Sequence, residues 1–206
     1  MICVNFYGGA GIGKSTLAAE VFAELKKLGI KTELAGEYAK ELSYERAYNI
    51  MHDQLYLFAE QAHRLLMFKE YGVQVAVCDS PLLLNIAYAD SATSPVLKDL
   101  IVDTYNRYDN IDMFLERRED YWIKDHRDGD INSAILMDKK ILRILNKYSH
   151  NLLSRTFAGT PEWLAKEINS LIAAKNIPSD NTTELNKLYT SEPWRSYTKE
   201  DDFDGM

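Results

Sequence analysis

Gly8-Gly9-Ala10-Gly11-Ile12-Gly13-Lys14-Ser15 is the stretch of this chain whose residue types and spacing most directly specify chemistry. Glycines let a backbone curl until several N–H groups point at one centre, and an anion is what such a centre holds. The spacing Gly8-x4-Gly13-Lys14-Ser15 is that of a Walker A phosphate loop. A helix beginning at Ser15 adds its positive dipole end to the same point. Lys14 supplies a point charge for β- and γ-phosphates, and the Ser15 hydroxyl is a hard oxygen of the kind Mg2+ takes. The run from Gly8 through Ser15, with Thr16, is therefore the candidate binding set for ATP or GTP with Mg2+.

Phosphoryl transfer asks for a positioned nucleophile, a metal and charge stabilisation more than for covalent chemistry. Two carboxylates, Glu37 and Asp79, each follow an apolar run that reads as a strand, which aims both at the phosphate cleft. Asp79 reads as a Walker B-like acid acting on Mg2+ through water, or as a substrate contact, and Glu37 as the acid nearer an acceptor hydroxyl. Residue types alone leave these two roles exchangeable, and either acid could instead cap a helix. Further on, Glu116-Arg117-Arg118-Glu119-Asp120 and Asp125-His126-Arg127-Asp128-Gly129-Asp130 bracket Tyr121-Trp122-Ile123. This stretch is too charged for core and too long for a tight turn. Arginines on such a lid can neutralise charge on a transferring phosphate, and Arg117 and Arg127 rank ahead of Arg118. Asp53, Gln54, Gln61 and Arg64 mark one long helix, where an amide could pair with a base edge or simply face solvent.

The elements that must hold these residues alternate. Residues 2–7 read as a short buried strand. The helix after it carries Leu17, Val21, Leu25 and Leu28 on one face and stops at Gly29. Residues 31–35 are a second strand, and a helical segment runs from about 36 to 48. The strongest helix spans 53–71, with Leu55, Phe58, Ala62, Leu65 and Leu66 on a stripe. Residues 73–78 have the continuous apolar character of a central parallel strand. Helical segments at 82–89 and 94–107, a strand at 111–115, a helix at 131–148 with Ile135, Asp138, Leu142 and Leu145 in step, a strand at 151–157 and a helix at 161–173 complete the order. Alternation of this kind means an α/β fold, a parallel sheet with helices on both faces, whose ligands collect at the carboxyl ends of the strands.

Residues 1–175 are thus expected to form one domain with a lid at about 116–131, followed by a polar extension over 176–206. Trp194 in that extension suggests either a cover for the acceptor pocket or contact with a second copy of the chain, a homodimer. The net charge of −7 disfavours a broad nucleic-acid surface. Cys3 and Cys78 lie in strand-like runs and form no CxxC pair, so they read as reduced core thiols. No apolar run approaches the ~18 residues of a membrane span, and the chain enters a strand at once with no leader pattern. A cytoplasmic protein is expected.

Taken in order, the Walker A loop, Gly36-Glu37-Tyr38-Ala39-Lys40-Glu41, Cys78-Asp79-Ser80-Pro81, Phe114-Leu115-Glu116-Arg117-Arg118 and Met137-Asp138 resemble the nucleoside/nucleotide kinase group of P-loop proteins. The likeness is nearest to ribosylnicotinamide-kinase-like ATPases and small bacteriophage kinases, and covers roughly residues 1–173. The resemblance implies a P-loop three-layer fold with a five-stranded parallel sheet in the order 2-3-1-4-5 and a lid after strand 4. It also implies ATP·Mg2+ as donor, Glu37 acting on the acceptor hydroxyl, and a nucleoside, nucleotide or related small molecule as acceptor. The lid of many such kinases carries a Gly-Arg pair where this chain has His126-Arg127. A phage relative phosphorylates 5-hydroxymethyluracil in DNA. That acceptor would ask for a basic groove, and Lys26, Lys27, Lys31 and Lys40 are scattered. A phage-encoded enzyme would work in the host cytoplasm. The remaining alternative is a nucleotide-dependent regulatory ATPase, which needs neither Glu37 nor an arginine-bearing lid.

Overall fold

The computed structural model describes residues 1–90, 93–117, 131–150, 152–155 and 161–175, without the side chains of 153–155 and 175. Strand β1 (Ile2–Tyr7) is buried along its whole length. Its near-continuous apolar run is what a strand covered on both faces requires. There follow α1 (Lys14–Lys27), β2 (Thr32–Ala35), α2 (Tyr38–Tyr44), α3 (Tyr48–Met51), α4 (Gln54–Glu70) and β3 (Val75–Cys78). The later elements are α5 (Leu84–Tyr88), α6 (Pro95–Tyr105), β4 (Asp109–Leu115), α7 (Ile131–Tyr148), β5 (Leu152–Arg155) and α8 (Pro161–Lys175). Met1–Lys166 forms one compact unit, and residues from Glu167 onward belong to a second.

The sheet has the order β2-β3-β1-β4-β5, and every neighbouring pair is parallel. Its register aligns the strand ends. Asn5 lies opposite Cys78 on one side and Asp112 on the other, Ala35 lies opposite Cys78, and Tyr7 opposite Phe114. The chain therefore leaves β1, β2, β3 and β4 at one edge, with Gly8, Gly36, Asp79 and Glu116 as the first residues out.

Several sequence expectations shift. The helix expected over 36–48 ends at Tyr44 as α2, and α3 starts only at Tyr48. Arg46 takes a left-handed φ of 57°, and α2 closes with Ala47 N–H donating to Leu42 O and Arg46 N–H to Ser43 O. This is a Schellman stop with arginine where glycine is usual. On α4 the buried residues are Gln54, Leu57, Phe58 and Leu65, while Leu55 and Leu66 of the expected stripe are exposed. On α7 the buried face is Ala134, Ile141 and Leu145, and Ile135 is exposed. Cys3 and Cys78 are buried free thiols. Among the described residues no helix is long and apolar enough to cross a membrane.

One polar knot sits inside the core. Asp112 is fully buried. It accepts hydrogen bonds from Asn5 Nδ2 at 2.8 Å, from the Tyr105 hydroxyl and from the Ser149 hydroxyl. Burial pushes its carboxyl above the usual aspartate range, against the opposing pull of these donors. The knot ties β1, β4 and the C-terminal ends of α6 and α7. Asp112→Ala would strand three donors in the interior, so a loss on the order of 3 kcal/mol is expected. Urea unfolding checks this as a fall in midpoint with an unchanged m-value.

Candidate functional site

The loop between β1 and α1 has the backbone its glycines permit. Gly8, Gly11 and Gly13 take φ of 144°, 70° and 95°, a region L side chains rarely enter. A Cβ on Gly8 would also lie 2.9 Å from Ile12 Cγ2. Gly13 stands at the N-cap of α1 with no side-chain cap, so the first-turn N–H groups of that helix are offered to a ligand. Lys14 folds back over its own loop, with Nζ donating to Gly8 O at 2.9 Å and Gly9 O at 3.0 Å. Ser15 and Thr16 are exposed at the start of the helix. The sequence-expected phosphate set, Gly8 through Thr16, is thus one continuous turn at the strand edge.

Asp79 follows β3 directly and is buried, at 6% exposure. Its peptide N–H donates to Ala35 O at 3.1 Å, which pins it to the end of β2. Burial raises its carboxyl above the ordinary aspartate value. The Ser15 hydroxyl and the Lys14 and Lys40 charges pull it down, while Glu37 pushes it up. Lys14 and Ser15 open α1, Glu37 and Lys40 open α2, and Asp79 follows β3, all at the carboxyl edge of the sheet. Glu37 itself is half-buried at the N-cap of α2, with no cap bond from its side chain. The reading of Glu37 as a helix cap is not what its side chain does.

The donor set fits Mg2+ in the manner of P-loop proteins. Asp79 Oδ1 is buried with no hydrogen-bond partner among the described residues, and the Ser15 hydroxyl stands beside the same carboxylate. Among the described residues no cluster of three or more His, Cys, Asp or Glu could cage a metal. Mg2+ bound through a hydroxyl, a carboxylate, water and nucleotide phosphates needs no such cage.

Arg117 is held at the root of the expected lid. Its Nε donates to Asp138 Oδ2 at 2.8 Å and its Nη2 to Ala10 O at 3.0 Å. Asp138 Oδ1 accepts the Gly9 N–H. Arg118, His126 and Arg127 lie outside the described residues. Beside this group a cleft of about 460 Å3 opens between the end of β4 and α7, with Phe114, Ile135 and Leu142 among its walls.

On the other flank Gln61 is fully engaged. Its Nε2 donates to Ser80 Oγ at 3.0 Å and its Oε1 accepts from Asn85 Nδ2 at 2.6 Å. It buttresses the turn after β3 rather than offering an amide to a base edge. Arg64 Nη1 likewise donates to Gly36 O at 3.2 Å. Sequence reasoning quoted Lys40, one helical turn after Glu37, and Asp138 within its motifs but gave neither a role at the site. The signal for Asp138 was an acid in step with apolar residues on a helix face.

A glycine loop over a helix N-terminus, at the carboxyl edge of a parallel sheet with a carboxylate after the third strand, defines a P-loop nucleotide-binding protein. A family model described as an AAA domain matches residues 3–158, and the chain belongs to that family. Solved structures with a similar chain path include deoxyadenosine kinase from M. mycoides, with the products dCMP and dCDP bound. It has 18% identity and a TM-score of 0.46, over 85% of this chain and 97% of that one. The APS kinase CysC of Mycobacterium tuberculosis, in complex with AMPPNP and APS, has 17% identity and a TM-score of 0.43, over 83% and 96%. Likeness this distant carries no argument about chemistry. A search of curated proteins gave no match.

Because the folded Asp79 has a raised pKa, its ionisation works against the fold. The favourable contribution is present while the group is protonated, below its unfolded pKa, and is lost as pH rises through the folded value. Asp79→Asn removes that titration. Without nucleotide or Mg2+ the variant is expected to melt above the wild type at pH 7, with the gap closing toward pH 4 in thermal scans. A variant that melts lower at pH 7 would mean that Ser15 and Lys14 outweigh burial.

Proposed function

We propose that the protein is an ATP- and Mg2+-dependent kinase that moves the γ-phosphoryl group to a hydroxyl of a nucleoside, a nucleotide or a related small molecule. The observation that carries the reading is the second carboxylate. Asp79 is buried at the end of β3, with its N–H donating to Ala35 O, and the half-buried Glu37 follows Ala35 by two residues at the same sheet edge. A site that only sensed nucleotide would need the first acid and not the second. The division of labour follows burial. Asp79, with Ser15, would hold Mg2+, which supplies charge neutralisation on the phosphates when bound. Glu37, reachable from solvent, would take the proton of the acceptor hydroxyl as its oxygen attacks the γ-phosphorus and the bond to the β-phosphate oxygen breaks, releasing ADP. Lys14 and the N–H groups of the loop would hold the β- and γ-phosphates in line. Arg117, anchored beside Ala10, would serve this charge, and Arg127 is the proposed lid arginine.

Glu37→Gln is expected to lower kcat by about 10²–10⁴-fold with nucleotide affinity nearly unchanged, and Lys14→Ala to abolish transfer in a protein that still folds. Unchanged turnover in Glu37→Gln removes it as the base. The acceptor is identified by incubating the protein with γ-labelled ATP and a panel of nucleosides, monophosphates, nicotinamide riboside and DNA containing 5-hydroxymethyluracil. Label on one of the small molecules supports the proposal. Label on DNA moves the acceptor to a polymer, and label recovered only as free phosphate replaces the kinase with an ATPase.

A further inference from the structure

Asp138 lies on α7 in step with Ala134, Ile141 and Leu145, which are all buried. Its side chain is 12% exposed and that of its partner Arg117 is 9% exposed. A charge so placed is costly unless its oxygens are satisfied. Here each oxygen has a separate task. Oδ1 accepts the Gly9 N–H, and Oδ2 accepts Arg117 Nε at 2.8 Å. Arg117 Nη2 closes the ring by donating to Ala10 O at 3.0 Å.

Gly9 is shaped by the same contact. Its φ is not among the left-handed values of this chain, so the backbone there would accept alanine. Space would not, because a Cβ would stand 2.8 Å from Asp138 Oδ1 and 2.9 Å from Ala134 O. The second glycine of the loop is therefore required by the approach of α7, and its N–H points at Asp138 rather than into the phosphate cradle that ends at Gly13 to Ser15.

We propose that Asp138 is a positioning residue for triphosphate binding. It locks the first turn of the loop and the Arg117 guanidinium into one unit, so that the cradle and Arg117 keep a fixed separation. The inference rests on the reading of Gly8 to Ser15 as a nucleotide-phosphate site, but not on the identity of the acceptor. Asp138 acts through Gly9 and Arg117 and need not touch the nucleotide.

Asp138→Asn separates the two arms. The amide oxygen can still accept from Gly9, while its NH2 would face Arg117 Nε–H, donor against donor. Calorimetric titration of the folded variant with Mg2+ and β,γ-imido-ATP should show affinity reduced roughly tenfold to a hundredfold. Arg117→Met should show a similar loss, and the double variant no more than the weaker single, because both break one unit. In turnover assays KM for ATP should rise while KM for the acceptor holds. Wild-type affinity in folded Asp138→Asn, whatever its melting temperature, overturns the proposal by leaving Asp138 a purely structural role. Losses that multiply in the double variant overturn it as well. If Asp138→Asn does not fold, Gly9→Ala carries the test: a comparable loss of affinity supports the proposal, and unchanged affinity ends it. The binding assay needs no acceptor, so a protein that transfers phosphate to nothing would sink the kinase reading and leave this one standing.

Discussion

Hydrogen bonding of β1 to β3 on one side and to β4 on the other sets the location of everything chemical in this protein. The pairing Asn5 with Cys78 and with Asp112 fixes all three strands at one level. The residues that follow them leave at the same edge: Gly8, Asp79 and Glu116, with Arg117 next. A slip of one residue in either ladder would turn every side chain to the opposite face and carry Asp79 away from Ser15. The buried knot at Asp112 guards this register from the inside. Its donors come from the neighbouring strand at Asn5 and from the ends of α6 and α7, so a shifted ladder would leave a buried carboxylate unmatched.

Charge is concentrated at that edge in a way stability alone would not choose. Asp79 is buried beside another acid, with its ionisation opposed by desolvation. The compensating groups, Ser15, Lys14 and Lys40, come from two different helices. On the other flank Asp138 bridges the Gly9 N–H and Arg117 Nε, and Arg117 Nη2 reaches Ala10 O. The cleft of about 460 Å3 opens on the Arg117 side, which also holds the loop in place.

Much of this was legible in the residues. The glycine spacing gave the loop, and the apolar runs gave a parallel α/β sheet with Glu37, Asp79 and Arg117 at strand ends. Local pattern failed where tertiary contacts decide. The 36–48 segment reads as one helix because arginine carries no stop signal, yet Arg46 adopts the left-handed turn. Leu55 and Leu66 fit the helical period of α4 as well as Leu57 does, and only the neighbours of the helix choose among them. Gln61 has the amide of a base reader, but Ser80 and Asn85 consume both ends of it. Asp138 was visible as an acid in an apolar rhythm, while its partners, 129 and 21 residues away in sequence, were not.

Lys14 bonds to the carbonyls of Gly8 and Gly9. A glycine-rich turn has more conformational freedom to lose than any other kind of chain, and an anion arriving at a floppy one must supply that ordering from its own binding energy. Here the cation proposed to meet the phosphate already staples the turn it grew from. Ordering is charged to folding rather than to association, so the encounter with nucleotide can be governed by diffusion and electrostatic attraction rather than by the search of a mobile loop for its closed shape.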